Sequence, residues 1–246
     1  KDLNDILNTT DTAFTPAQIV VLLKKMLSAV DFIHQSGILH RDISPDNILI
    51  DQNGNPVLID FGAASEQVVR ATRVLTGRRV VKDGYSPQEF YLTGAEQAPS
   101  SDLYALGATF YHVITGKVPP ESQRRLARVA EGVTDPYEPL AGRFPGYPPG
   151  FLEAIDLSMR VMPRQRLQSA GEWIDMIQRG EEEERLASDA APASIATPVA
   201  PPTTAEGARK LDSFIENNSG YFFGLFLAAG GAVVVGLGAL VWWLVR

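Results

Sequence analysis

Apolar and polar positions along this chain follow several distinct periods. Thr15-Pro16 opens a stretch in which Ile19, Val20, Leu22, Leu23, Met26, Leu27, Val30 and Ile33 recur at helical spacing. A capping hydroxyl followed by a proline with its φ already set marks a helix start, and Gly37 suits the stop. Before it, Leu3 to Leu7 reads as a loop. Ile48-Leu49-Ile50 and Val57-Leu58-Ile59 are short β-type runs, and the polar stretch between them holds Asn53-Gly54, a strong hairpin signal. From Ser101 onward the pattern is helical again.

This globular texture covers residues 1–180. Glu181 to Glu184 is a run of charge, and Ala187 to Ala208 is dominated by Ala, Pro, Ser and Thr, with too little apolar area to offset the entropy of ordering. Residues 181–220 are therefore expected to be a disordered linker. Tyr221 to Val245 contains 25 residues and no charge. At about 1.5 Å per residue it is long enough as a helix to cross a hydrocarbon layer of about 30 Å, and aromatic residues stand at both ends. Residues 221–245 are read as a transmembrane helix. Gly224, Ala228, Ala232 and Gly236 follow at steps of four, a small-residue ridge on which two such helices could pair as a homodimer.

Composition narrows the classes. With 246 residues and 45% apolar content, one sizeable core plus appendages is the expectation. A net charge of −7 provides no general basic field for a nucleic-acid backbone, so no nucleic-acid partner is expected. Absence of cysteine excludes disulfides and thiolate metal sites. The chain begins at Lys1 rather than Met, and it is read as a fragment.

The chemistry gathers around the hairpin. A hairpin brings the residue before its first strand and the residue after its second to the same end, and here these are Asn47 and Asp60. An amide oxygen and a carboxylate make a hard-oxygen site suited to Mg²⁺, which keeps waters and phosphate oxygens as its other ligands. Asp42, five residues before Asn47, could accept the proton of an attacking hydroxyl. The bland alternative is that Asp42 or Asn47 caps a turn.

This arrangement resembles the protein kinase family, whose catalytic loop reads H-R-D-x-x-x-x-N and whose metal-binding turn reads D-F-G. Here these are His40-Arg41-Asp42 with Asn47, and Asp60-Phe61-Gly62. The resemblance implies Asp42 as catalytic base, Asn47 and Asp60 as Mg²⁺ ligands, ATP as phosphoryl donor, and Arg41 as partner for a phosphate on the activation segment. His40, Phe61 and Gly62 would support them. Gly84-Tyr85-Ser86-Pro87-Gln88-Glu89 looks like the A-P-E segment, with Glu89 paired to a buried Arg, and Arg166 stands where the family has that Arg. Ser101 to Gly107 is similar to the family's central helix, with Asp102 bracing the catalytic loop. The implied fold is mainly α with small β-hairpins, a kinase-like C-lobe over residues 1–180.

Departures accompany the match. Ser44 stands where serine/threonine kinases usually carry Lys, two residues after the catalytic Asp, so one positive contact to the transferring phosphoryl group is missing, while Pro45 keeps the serine/threonine rather than the tyrosine pattern. Met162 replaces the usual Asp before Pro163. Only 39 residues precede His40, none of them a glycine-rich loop or V-A-I-K strand, so the N-lobe is expected to lie outside this sequence. Arg70, Arg73, Arg78, Arg79 and Lys82 outnumber Glu66 and Asp83 in the activation segment, where Ser65, Thr72 and Thr76 are candidate phosphosites. His34 and His112 are assigned no role.

Taken together, the resemblance implies a bacterial membrane-anchored serine/threonine kinase acting on protein substrates, its lobe on the cytoplasmic side where ATP is found. A catalytically inactive pseudokinase serving as a membrane-bound docking module, and a kinase-fold enzyme acting on small substrates, are the rival readings.

Overall fold

The computed structural model describes residues 1–9, 14–61 and 81–190. All of them fall in one compact unit, Lys1–Ala191. The segment expected to cross a membrane, its small-residue ridge, the three candidate phosphosites and Gly62 lie outside the described residues. Among the described residues no helix is long and apolar enough to cross a membrane.

The chain opens with a helix where a loop was expected: α1 spans Leu3–Thr9. Asp2 supplies the start, its carboxylate accepting the N–H of Asp5 at 2.6 Å while Leu3 enters the core. The longer α2, Pro16–Gln35, begins as its sequence indicates. Thr15 Oγ1 accepts from Gln18 N, and the Gln18 side chain accepts in return from Thr15 N, a reciprocal capping box. Ile19, Val20, Leu22, Leu23, Met26, Leu27 and Val30 form its buried stripe. Gly37, at φ +74°, turns the chain away.

A 3₁₀ turn, Pro45–Asn47, leads into β1, Ile48–Ile50, which pairs antiparallel with β2, Pro56–Leu58. The register sets Ile48 opposite Leu58 and Ile50 opposite Pro56. The second strand thus lies one residue earlier than its apolar run suggested. Ile59 still donates its N–H to Asn47 O at 3.0 Å, so the pairing fades just beyond the strand. At the tip, Asp51 Oδ1 accepts from Asn53 N and Asn55 N and holds the turn.

The core is built around α3, Pro99–Thr115, whose residues from Ser100 to His112 are all buried. Burial on every side makes it a central helix. It packs against α2 and against α5, Phe151–Ser158, while α4, Ser122–Ala130, sits by the 3₁₀ turn Gln88–Phe90. The last helix, α6, Ala170–Ala190, packs on α2 and α5, with Trp173 and Ile177 fully buried. The described residues are thus mainly helical with one two-stranded sheet.

The last helix also departs from expectation, for a local reason. α6 carries Glu181 to Glu184, so the first ten residues of the expected linker are helical. Lys24 pairs with Glu181 at 2.8 Å, and Arg185 pairs with Glu182 and Asp189 at helical spacing, so the charges support the helix they had seemed to end. The 3₁₀ turn Pro163–Gln165 forms although Met162 offers no side-chain cap, because Gln165 N still reaches Met162 O at 2.9 Å.

Where α3 meets α5, Gly107 leaves no room for a side chain: an added Cβ would lie 2.1 Å from Ser158 Oγ and 3.0 Å from Met159 Cγ. Gly107→Ala is expected to destabilise the fold by about 1–3 kcal/mol through overpacking, read as a lower denaturation midpoint. An unchanged midpoint would show that the two helices are not held this closely.

Candidate active site

The site begins with a buried carboxylate. Asp102, in the first turn of α3, has no solvent exposure. Its Oδ2 accepts from His40 N at 2.8 Å and lies 2.9 Å from His34 Nε2, and its Oδ1 accepts from Arg41 N at 2.8 Å. These bonds clamp the backbone of the loop between α2 and β1. Arg41 sits there at φ +70°, a left-handed conformation that costs a side-chain-bearing residue energy. Among the described residues Asp60 is the other non-glycine residue with positive φ, at +64°. Both strained positions belong to motifs singled out for chemistry.

His40 joins these two segments. Its ring accepts from Asp42 N at Nδ1 (3.3 Å), so Nε2 carries the proton and donates to Ile59 O at 3.0 Å, next to Asp60. The Phe61 ring meets it edge-on, centroids 4.8 Å apart. Burial pushes the His40 pKa below its ordinary value, against the opposing pull of Asp102, Ile59 O, Asp42 and Asp60. A neutral imidazole is what this bonding pattern needs.

Asp42 is oriented from the other side. Asn47 Nδ2 donates to Asp42 O at 2.7 Å and to Asp42 Oδ2 at 2.9 Å. Both amide N–H groups of Asn47 are thereby used, and its oxygen is the end that remains for a cation. Since Ile48 faces Leu58, Asn47 and Asp60 leave the hairpin at one end. One amide oxygen and one carboxylate suit Mg²⁺, a hard cation that takes few protein ligands when phosphate oxygens complete its shell. Among the described residues no group of three or more His, Cys, Asp or Glu could hold a metal ion.

The supporting residues also converge. Arg166 Nη1 and Nη2 reach Glu89 Oε1 and Oε2 at 2.7 and 3.0 Å. Its other N–H groups go to Arg160 O, Val161 O and Ser100 O, so all five donors are used although the side chain is buried. Ser101 Oγ donates to Glu89 Oε1 at 2.8 Å, and the guanidinium lies 4.7 Å from the Tyr104 ring.

Three residues given no site role by sequence have definite places. His34 approaches Asp102, and the buried stripe Val20, Leu23, Leu27, Val30 already pointed to position 34 as its next member. His112 lies 2.7 Å from Tyr85 Oη, and burial lowers its pKa as well. Lys82, counted only as part of a basic segment, places Nζ 2.7 Å from Ser44 Oγ and 3.6 Å from Asp42 Oδ1. No one-dimensional signal links Lys82 to Ser44, which lie 38 residues apart.

Known proteins carry the same architecture. A family model described as protein kinase domain matches residues 1–168. The serine/threonine-protein kinase PknA of Nostoc sp. is 34% identical over 167 residues, covering 65% of this chain and 28% of that relative. PknA of Mycobacterium tuberculosis is 31% identical over 156 residues, covering 63% and 35%, and serine/threonine-protein kinase C of Synechocystis sp. is 34% identical over 172, covering 64% and 29%. A solved structure described as PpkA-294 apo form is 36% identical, with a TM-score of 0.58 over 72% of this chain and 59% of that one. The chain belongs to the protein kinase family, and the curated relatives named above are bacterial serine/threonine-protein kinases. It spans about a third of the length of the curated relatives it matches.

Two outcomes are expected. Arg166→Ala leaves Glu89 buried and unpaired and should cost about 3–5 kcal/mol in an unfolding titration, whereas a loss under about 1 kcal/mol would mean that the pair is solvated. His40 and His112 both have folded pKa values below the ordinary 6.5, so the unfolded chain takes up more protons between the two values. Their contribution is complete above about pH 6.5 and falls as pH drops below it, so the unfolding midpoint should decline from about pH 7 to about pH 5. A flat or rising midpoint over that range contradicts the burial of both rings.

Proposed function

We propose that this chain is the C-terminal lobe, residues 1–180, of a protein serine/threonine kinase that transfers the γ-phosphoryl group of Mg·ATP to Ser or Thr hydroxyls of protein substrates. The observation that carries the reading is the pair of hydrogen bonds that Asn47 Nδ2 donates to the main-chain oxygen and the carboxylate of Asp42. It holds the Asp42 carboxylate and uses the amide N–H groups of Asn47, and the strand register brings the main chain of Asn47 and Asp60 to one end of the hairpin. Mg²⁺, when bound, supplies positive charge to the phosphate oxygens; Asn47 and Asp60 are the residues that would hold it. Asp42 takes the proton of the attacking hydroxyl as the oxygen–phosphorus bond forms.

In this reading the glycine-rich cover and the lysine for the α and β phosphates come from an N-lobe encoded with this chain. Residues 181–220 link the lobe to a membrane helix at 221–245, with the lobe on the cytoplasmic side. The uncharged run of 25 residues supports the helix, and Arg209 and Lys210 before it, against Arg246 after it, support the orientation. Phosphate on Ser65, Thr72 or Thr76 would be read by Arg41. The helix ridge at Gly224, Ala228, Ala232 and Gly236 would bring two copies together.

The test uses the full-length protein encoded at this locus and labelled ATP. Transfer to itself or to a generic protein substrate is expected, falling by about 10²- to 10⁴-fold in Asp42→Asn. Equal labelling by the variant would remove Asp42 as the base. Asp60→Ala is expected to abolish Mg²⁺-dependent nucleotide binding, and binding that survives it would exclude Asp60 as a ligand.

A further inference from the structure

Position 44, two residues after Asp42, carries no charge, yet a cation stands beside it in space. Lys82 comes from the far end of the activation segment. Its Nζ is 2.7 Å from Ser44 Oγ, 3.6 Å from Asp42 Oδ1 and 3.6 Å from Asp46 Oδ2. Ser44 is fully buried, and the Lys82 and Asp42 side chains are mostly so, at 28% and 15% exposure. Among the described residues the ammonium makes one hydrogen bond, to Ser44. The carboxylates of Asp42 and Asp46 lie just beyond hydrogen-bond distance and pair with it as charges, and an ammonium has three N–H groups to give.

The backbone holds this lysine in place. Tyr85 N and Ser86 N both donate to Lys82 O, at 3.0 and 2.9 Å, and Lys82 N donates to Ser86 Oγ at 2.8 Å. Ser122 Oγ of α4 donates to Ser86 O at 2.7 Å and fastens the turn to the core. Gly84 closes it at φ +83°, where an added Cβ would lie 2.4 Å from Val118 Cγ1 and 2.9 Å from Pro119 O. The turn thus holds the backbone from which Lys82 projects, and Ser44 receives its ammonium.

We propose that Lys82 is a catalytic residue that supplies the positive charge facing the transferred phosphoryl group, with the Ser44 hydroxyl as the dock that aims it. This rests on the kinase reading above. In the step it assists, the substrate hydroxyl oxygen bonds to the γ-phosphorus and the bond to the β–γ bridging oxygen breaks. The bond's electron pair leaves with ADP and the hydroxyl proton goes to Asp42. Negative charge spreads over the transferred oxygens as this happens, and a fixed cation about 3.6 Å from the base stabilises it more than it stabilises bound ATP. A compact ammonium on a flexible stem suits the role, and the usual catalytic-loop lysine is replaced by one reaching in from a different segment.

The experiment compares the full-length wild type with Lys82→Met, which keeps the stem and removes the charge, Lys82→Ala, and the double variant Ser44→Lys/Lys82→Ala. Each is assayed for kcat and for KM of Mg·ATP, with the melting temperature measured alongside. The single variants are expected to lose about 10²-fold in kcat, with KM changed by less than about threefold, and the double variant to recover at least about tenfold over Lys82→Ala. Recovery by a lysine returned from the other segment is not expected of a residue that only holds the turn. Single variants within about twofold of wild type, a loss confined to KM, or a double variant no better than Lys82→Ala in folded protein would each overturn the assignment. A wild type that transfers no phosphate would instead overturn the kinase reading, and the Lys82 role with it.

Discussion

Asp102 is the group on which the arrangement of the site depends. A carboxylate without solvent needs its acceptors filled, and here two main-chain N–H groups and a histidine ring fill them. The bonds hold Arg41 in a left-handed conformation that its side chain disfavours, and so set the direction in which the chain reaches Asp42. His40 then carries the geometry across to Ile59, and from there to Asp60. The proposed proton acceptor and the proposed metal ligand are therefore placed by one buried anchor.

The same helix end serves a second purpose. Ser100, Ser101 and Asp102 follow one another in the first turn of α3: Ser100 O accepts from Arg166, Ser101 Oγ donates to Glu89, and Asp102 clamps the loop. The positive end of a helix dipole favours carboxylates, and two of them gather here. Asp102 faces the loop that leads to Asp42, and Glu89, on the segment that carries Lys82, faces Arg166. Two long-range junctions thus share a rigid element, which keeps the two walls of the proposed site in a fixed relation.

Much of this was legible because local rules applied. Thr15, Pro16 and the apolar stripe after them defined α2, and Asn53-Gly54 with its flanking runs defined the hairpin to within one residue. The convergence of Asn47 and Asp60 followed from hairpin geometry alone. The likeness to kinases placed Glu89 and Arg166 together across 77 residues, and spacing by itself would not have done so. What stayed hidden depended on side-chain reach between distant segments. Lys82 looked like one charge among several, His34 like an ordinary helix residue, and Glu181 to Glu184 like the start of a linker until Lys24 was seen beside them. The helix at Leu3–Thr9 escaped because its cap is a side chain lying before a short stretch without a repeating stripe.

The hairpin separates two ends with unequal demands. At one end Asn47 and Asp60 leave little freedom. At the other, Asp51 gathers the N–H groups of Asn53 and Asn55 into a loop that Lys25 of α2 also reaches, through Asn55 Oδ1. Because the strands transmit register and the loop carries none of the chemistry, lengthening or rebuilding the tip changes the distance travelled by the chain without moving the residues at the base. Lineages could diversify that tip, or an engineer could splice a reporter into it, while the chemical end keeps its alignment.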